Sequence, residues 1–169
     1  MISRIAVVLG VLTAICSAAD VNVVNNCKEQ IDPGFFPPVN YGEGTTGGFV
    51  LQSDQNATVE LPFGWYGRIW PRTGCNDEGQ CDTGSCQGGI DCTDPSPAGP
   101  TLAQFNIGPG NKDYFNPSTV DGFNVPVIII PGPGCSTRPV GCIGPGEGNG
   151  CEVTSECPTG VNYTVVFCT

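Results

Sequence analysis

The chain has 169 residues, six basic and sixteen acidic side chains, no histidine, and a formal charge of −10. So acidic a surface repels nucleic-acid phosphates and anionic membranes, and neither is expected as a partner. Without histidine, Ser–His and Cys–His catalysis are excluded, leaving carboxylate chemistry or none.

Residues 1–19, MISRIAVVLGVLTAICSAA, place Arg4 before an apolar run from Ile5 to Cys16, followed by the small residues Ser17, Ala18 and Ala19. This is the pattern of a secretory signal peptide, and the run is too short to span a bilayer comfortably. Cleavage is expected after Ala19 or one residue earlier. Residues 20–169 then form one soluble domain, secreted to the extracellular space or cell wall and monomeric. Loss of Arg4 leaves five basic against sixteen acidic residues, or −11. Loss of Cys16 leaves ten cysteines: Cys27, Cys75, Cys81, Cys86, Cys92, Cys135, Cys142, Cys151, Cys157 and Cys168. An even count in an exported chain implies five disulfides. There is no CxxC pair and no histidine to complete a zinc cage or a thioredoxin-type centre, so no metal or cofactor is expected. CNDEGQCDTGSCQGGIDC (75–92) therefore holds two staples.

The mature segment shows no helical period. It shows short alternating or apolar runs between Gly/Pro turns, which predict strands. In chain order these are VNVVNNC (21–27), GGFVL (47–51), ATVELP (57–62), GRIW (67–70), FNVPVIII (123–130) and VNYTVVFC (161–168). In the last, Val161, Tyr163, Val165 and Phe167 share one face. PGPG (131–134) and GPGEGNG (144–150) mark turns. Many short strands of this kind make an all-β sandwich or barrel. Phe35 and Phe36, in DPGFFPP, are expected to anchor a loop.

Asn56 and Asn162 head glycosylation sequons, the first in a polar loop and the second within a predicted strand; Asn116 is excluded by Pro117. Asp77, Glu78, Asp82 and Asp91 form a solvated acidic face without an EF-hand pattern. Strand alternation puts Tyr66, Arg68, Trp70 and Arg72 on one face, with Trp70 expected in the core. Tyr114, Phe115 and Phe123 flank the 116–121 segment as further aromatic candidates.

GRIWPRTGC (67–75), CDTGSCQGGIDC (81–92), TLAQFNI (101–107), DGFNVP (121–126) and NYTVVFC (162–168) occur in this order. Together they resemble the thaumatin-like proteins across essentially the whole mature chain. One departure is Ser85, where the family has an aspartate before its cysteine. The resemblance implies a flattened two-sheet β-sandwich. It also implies the pairs Cys27–Cys168, Cys75–Cys81, Cys86–Cys92, Cys135–Cys157 and Cys142–Cys151. Only eight residues separate Cys142 from Cys151, where full-length members carry a helical domain. The chain thus resembles the short form, with no large helical domain and an open groove where the family has a cleft.

The family is credited with binding, and in some members cutting, β-1,3-glucan in an acidic cleft. Carried over, its arginine falls on Arg68 and one aspartate on Asp121. Its glutamate falls on Gln104, another aspartate on Asn116, and a last one has no counterpart. Glycoside hydrolysis generally needs two carboxyl groups. An amide keeps the hydrogen bonds but cannot exchange a proton as a general acid or base does. The expectation is a defence or wall-remodelling protein that binds β-1,3-glucan or a related wall polysaccharide without efficient hydrolysis. Arg68, Gln104, Asn116 and Asp121 would be its sugar contacts. Two alternatives remain. One is an endo-β-1,3-glucanase working through Asp121 with a substitute acid such as Asp113. The other is a binder or inhibitor of a secreted foreign hydrolase.

Overall fold

The computed structural model describes residues 18–95 and 98–169. Apart from its last two residues, the predicted signal segment lies outside them. Eleven strands follow in order: β1 (Ala19–Asn25), β2 (Ile31–Tyr41), β3 (Gly44–Gly48), β4 (Asn56–Leu61), β5 (Tyr66–Thr73), β6 (Leu102–Asn106), β7 (Lys112–Ser118), β8 (Val127–Pro131), β9 (Val140–Cys142), β10 (Ser155–Pro158) and β11 (Tyr163–Phe167). The one helical element among the described residues is a 3-10 turn at Pro109–Asn111. The fold is all-β, with no large helical domain in the described chain.

Hydrogen bonding runs β10-β7-β6-β5-β2-β4-β1-β11-β8-β9, with β3 attached to β2. The ladder narrows between β2 and β4 to the single pair Asn40–Glu60, where Asn40 Nδ2 donates to Glu60 Oε1 at 2.6 Å. There the sheet turns over on itself and becomes a two-layer sandwich. Period-two alternation then decides what lies between the layers. Val21, Val23, Val59, Ile69, Phe105, Phe115, Ile129, Val165 and Phe167 are buried in one core. Tyr163 of β11 meets Phe105 and Phe115 edge-on, both at 5.3 Å between ring centroids, tying the layers together. Ala19 is fully buried and pairs with Leu61 at the start of β1.

Several expectations are corrected. The run GGFVL (47–51) is a strand only to Gly48, at the end of β3. Phe35 and Phe36 do not anchor a loop; they lie within β2, Phe35 fully buried against Phe49 at 5.5 Å. The prolines that disguised the strand are accommodated locally: Pro33 faces Pro71 on β5, and Pro37 and Pro38 fall in the register shift between Gly34 and Val39. The run at 123–130 becomes a strand only from Val127. Ahead of it, the Asn124 side chain replaces the ladder, donating to Pro71 O at 2.9 Å and Thr83 Oγ1 at 2.8 Å. Asn162 is not within a strand but exposed just before β11, while Asn56 is the exposed first residue of β4.

All five disulfides have the implied pairing: Cys27–Cys168, Cys75–Cys81, Cys86–Cys92, Cys135–Cys157 and Cys142–Cys151. The first spans 141 residues and constrains the unfolded chain by about 5 kcal/mol in the loop-entropy account. It lies just beyond β1 and β11, which run parallel from Val21–Tyr163 to Asn25–Phe167. The Cys86–Cys92 loop folds over the outer face of β5, where Trp70, Cys92 and Leu102 make a second small core. Arg72, fully buried, secures that loop. Its guanidinium donates to Gly89 O at 2.6 Å, Ile90 O at 2.7 Å and Asp32 O at 2.9 Å. Burial holds its pKa below the ordinary arginine value, opposed by the charges of Asp32 and Asp91. Ser85 has a local role: its hydroxyl accepts from Cys81 N–H at 2.7 Å and donates to Cys81 O at 2.9 Å, joining the two stapled loops.

Candidate functional site

β5, β6 and β7 lie side by side, antiparallel, in registers that set Arg68 opposite Gln104 and Gln104 opposite Asn116. Residues two apart on a strand share a face. Tyr66, Asn106 and Tyr114, also in register, therefore form a second row beside the first. The two rows line a groove of about 360 Å³, with Thr154 at its side. The sequence singled out Arg68, Gln104 and Asn116; it missed Asn106 and Thr154. Alternation in TLAQFNI carried the signal for Asn106, two residues after Gln104.

The polar side chains of the first row are already paired. Asn116 Nδ2 donates to Gln104 Oε1 at 3.1 Å. Asp121, on the turn after β7, holds Arg68 Nη1 at 2.5 Å, with the two side chains 30 % and 27 % exposed. The fold thus brings Arg68, Gln104, Asn116 and Asp121 into one neighbourhood. Two amides occupy its centre, and its one carboxylate is neutralised by a guanidinium.

Asp113 is not part of it. Three residues before Asn116, it has the opposite strand parity and points into the core, fully buried. It accepts Gly108 N–H at 3.0 Å and Tyr163 O–H at 3.1 Å. Burial raises its pKa, with those two hydrogen bonds opposing, and Tyr163 is pushed well above the ordinary tyrosine range by burial and by the Asp113 charge. Asp113 therefore cannot stand in for a groove acid, which corrects the expectation for that residue. Trp70 shares the parity of Arg68, but the stapled loops bury it and its Nε1–H donates to Gly84 O at 2.9 Å. Phe115 is buried, and Phe123 lines a separate hollow with Thr73 and Asn124. Asp77, Glu78, Asp82 and Asp91 are exposed; Asp91 Oδ1 accepts Gly47 N–H at 2.5 Å. Among the described residues, the close grouping of metal-type ligand atoms is Cys142, Cys151 and Glu152, and its two sulfurs form a disulfide.

This arrangement suits hydrogen bonding and not proton transfer. Amides donate and accept but do not titrate near neutrality.

Fold, staples and groove together define a disulfide-locked β-sandwich with a polar, uncharged-centred groove on one layer. The chain belongs to the thaumatin family, whose family model matches residues 25–169. It is 36 % identical over 171 residues to thaumatin-like pathogenesis-related protein 3 of Avena sativa, covering 95 % of this chain and 93 % of that one. An osmotin-like protein of Solanum lycopersicum is 41 % identical over 128 residues, which cover 71 % of this chain and only 51 % of the relative. Its likeness is to the oat protein's length and not to the longer tomato form. Among solved structures, the thaumatin-like xylanase inhibitor TLXI superposes with a TM-score of 0.67 at 24 % identity, covering 88 % of this chain and 99 % of that one, and shows the same fold.

Proposed function

We propose that this is a secreted defence protein that binds a neutral wall polysaccharide, β-1,3-glucan or a related chain, without hydrolysing it efficiently. The observation that carries this reading is the Gln104–Asn116 amide pair at 3.1 Å in the middle of the groove. It offers sugar hydroxyls pre-oriented donors and acceptors and no titrating group. The neighbouring Arg68–Asp121 pair leaves Asp121 as a contact and not as half of an acid–base couple. The pathogenesis-related relatives support the defence role.

In this reading the signal peptide lies within residues 1–19 and is cleaved after Ala19 or one residue earlier; the burial of Ala19 in β1 favours the earlier site. Glycans at Asn56 and Asn162 would stand on the layer of β4, β1 and β11, leaving the groove layer bare. The mature domain is taken to act as a monomer.

The test is retention on insoluble β-1,3-glucan together with a reducing-sugar assay on the same preparation. Wild type is expected to be retained and to release no reducing ends across acidic pH. The double variant Gln104→Ala/Asn116→Ala should bind about tenfold more weakly, the loss of two hydrogen bonds of about 0.7 kcal/mol each. Failure of wild type to bind any wall glucan overturns the reading.

A second reading, binding to a foreign secreted hydrolase, draws on a different surface. Val120, Ile143 and Val153 are 73 %, 58 % and 57 % exposed. Their loops are held together where Glu152 and Gly146 hydrogen-bond Thr119. The solved xylanase inhibitor with this fold supports testing it. A pull-down against purified secreted hydrolases, with Ile143→Asp as control, separates protein capture from glycan binding.

A further inference from the structure

The row of Tyr66, Asn106 and Tyr114 is not among the residues assigned to sugar contact above, yet all three line the groove. Tyr66 is 75 % exposed, an unusual position for so large a ring, and Tyr114 is half-buried at the other end of the row. Asn106 lies between them in register. Two aromatic faces flanking an amide form a common stacking surface for pyranose rings, which present apolar C–H faces and polar edges.

The spacing of this row is set by the sheet. Tyr66 and Tyr114 stand two strand intervals apart, about 10 Å. The amide row runs parallel to it, one side-chain repeat away, about 7 Å. An extended β-1,4-linked chain is nearly straight and presents equivalent ring faces every second residue, at close to the same interval. A β-1,3-linked chain turns at each linkage and coils, so its ring faces do not recur in line across the three paired strands. The electrostatics select further. Arg68 is neutralised by Asp121 at 2.5 Å, the rest of the two rows is amide and phenol, and the chain carries −10 overall. An anionic polysaccharide would meet net repulsion without a free cation to offset it.

The geometry points to an extended, neutral β-1,4-linked glycan as the groove's ligand. It lies across β5, β6 and β7, with alternate rings on Tyr66 and Tyr114 and its hydroxyl edge on Asn106, Gln104 and Asn116. This rests on the polysaccharide-binding reading and narrows it to one linkage class.

The experiment is calorimetric titration of the whole mature protein with cellohexaose, xylohexaose and laminarihexaose, for wild type, Tyr66→Ala, Tyr114→Ala and Tyr114→Phe. At least one β-1,4 hexaose is expected to bind about tenfold more tightly than the β-1,3 hexaose. Each alanine variant should weaken that binding about tenfold, the size of one stacking contact. Tyr114→Phe, which keeps the ring, should bind like wild type and guards against misfolding as the cause of loss. Equal or tighter binding of laminarihexaose, or unchanged β-1,4 binding in both alanine variants, overturns the linkage assignment and leaves the broader reading standing. If no hexaose binds and insoluble glucan is not retained, both fall.

Discussion

Asp113 carries a carboxyl into the core, away from the groove. Its carboxyl is fully buried, braced by Gly108 N–H and Tyr163 O–H, and its pKa lies above the ordinary aspartate value because burial disfavours the charge. The folded protein therefore holds that proton more tightly than the unfolded chain does. The stabilisation this provides is complete below the unfolded value of about 4 and is lost as pH rises through the higher folded value. Asp113→Asn stays neutral throughout and can still bond Gly108 N–H and Tyr163 Oη. Urea midpoints measured at pH 4 and pH 7 should shift in favour of the variant, relative to wild type, as pH rises. Asp32, shifted in the same direction, is common to both proteins and cancels. A difference that does not change with pH would mean that folding leaves the Asp113 pKa where the unfolded chain has it.

At the scale of elements, the Cys86–Cys92 loop sits on β5, the strand that also carries Arg68, and Arg72 is the side chain that seats it. Arg72→Met keeps most of the volume. It strips hydrogen bonds from the carbonyls of Asp32, Gly89 and Ile90 and leaves buried Asp32 without its nearby cation. A loss of about 3–5 kcal/mol is expected in urea unfolding, with new protease cleavage within residues 86–92. A loss under about 1 kcal/mol would show that the disulfide alone holds the loop. Which elements were legible in the sequence follows from what marks a strand. β1, β4 and β11 alternate in burial, interrupted in sequence only by Val24, Asn25 and Val166, and are legible as strands. β2 carries four residues of proline or glycine in its first eight, and only tertiary pairing shows that its missing donors fall where none is needed. β6 and β7 alternate between core residues and groove amides, so no apolar run marks them. The family resemblance brought Arg68, Gln104, Asn116 and Asp121 together. Strand parity alone would have sent Asp113 inward and placed Asn106 beside Gln104.

The molecule as a whole is a single ladder folded once, begun and finished by neighbouring strands. β1 and β11 run side by side in the same direction, so handles placed before Ala19 and after Thr169 would pull them past each other lengthwise. Every hydrogen bond between them then shares the load at once, instead of breaking in turn as in a peeled hairpin. The Cys27–Cys168 bridge changes the outcome further, because the 141-residue span it closes lies outside the path of the force. In a single-molecule stretching experiment the oxidised protein should yield only its short end segments. After reduction the same pull should release about 500 Å of hidden length. Tension applied to its two ends thus passes along β1 and through one covalent link, and the layer of β5, β6 and β7 that carries the groove stays slack while that tether is taut.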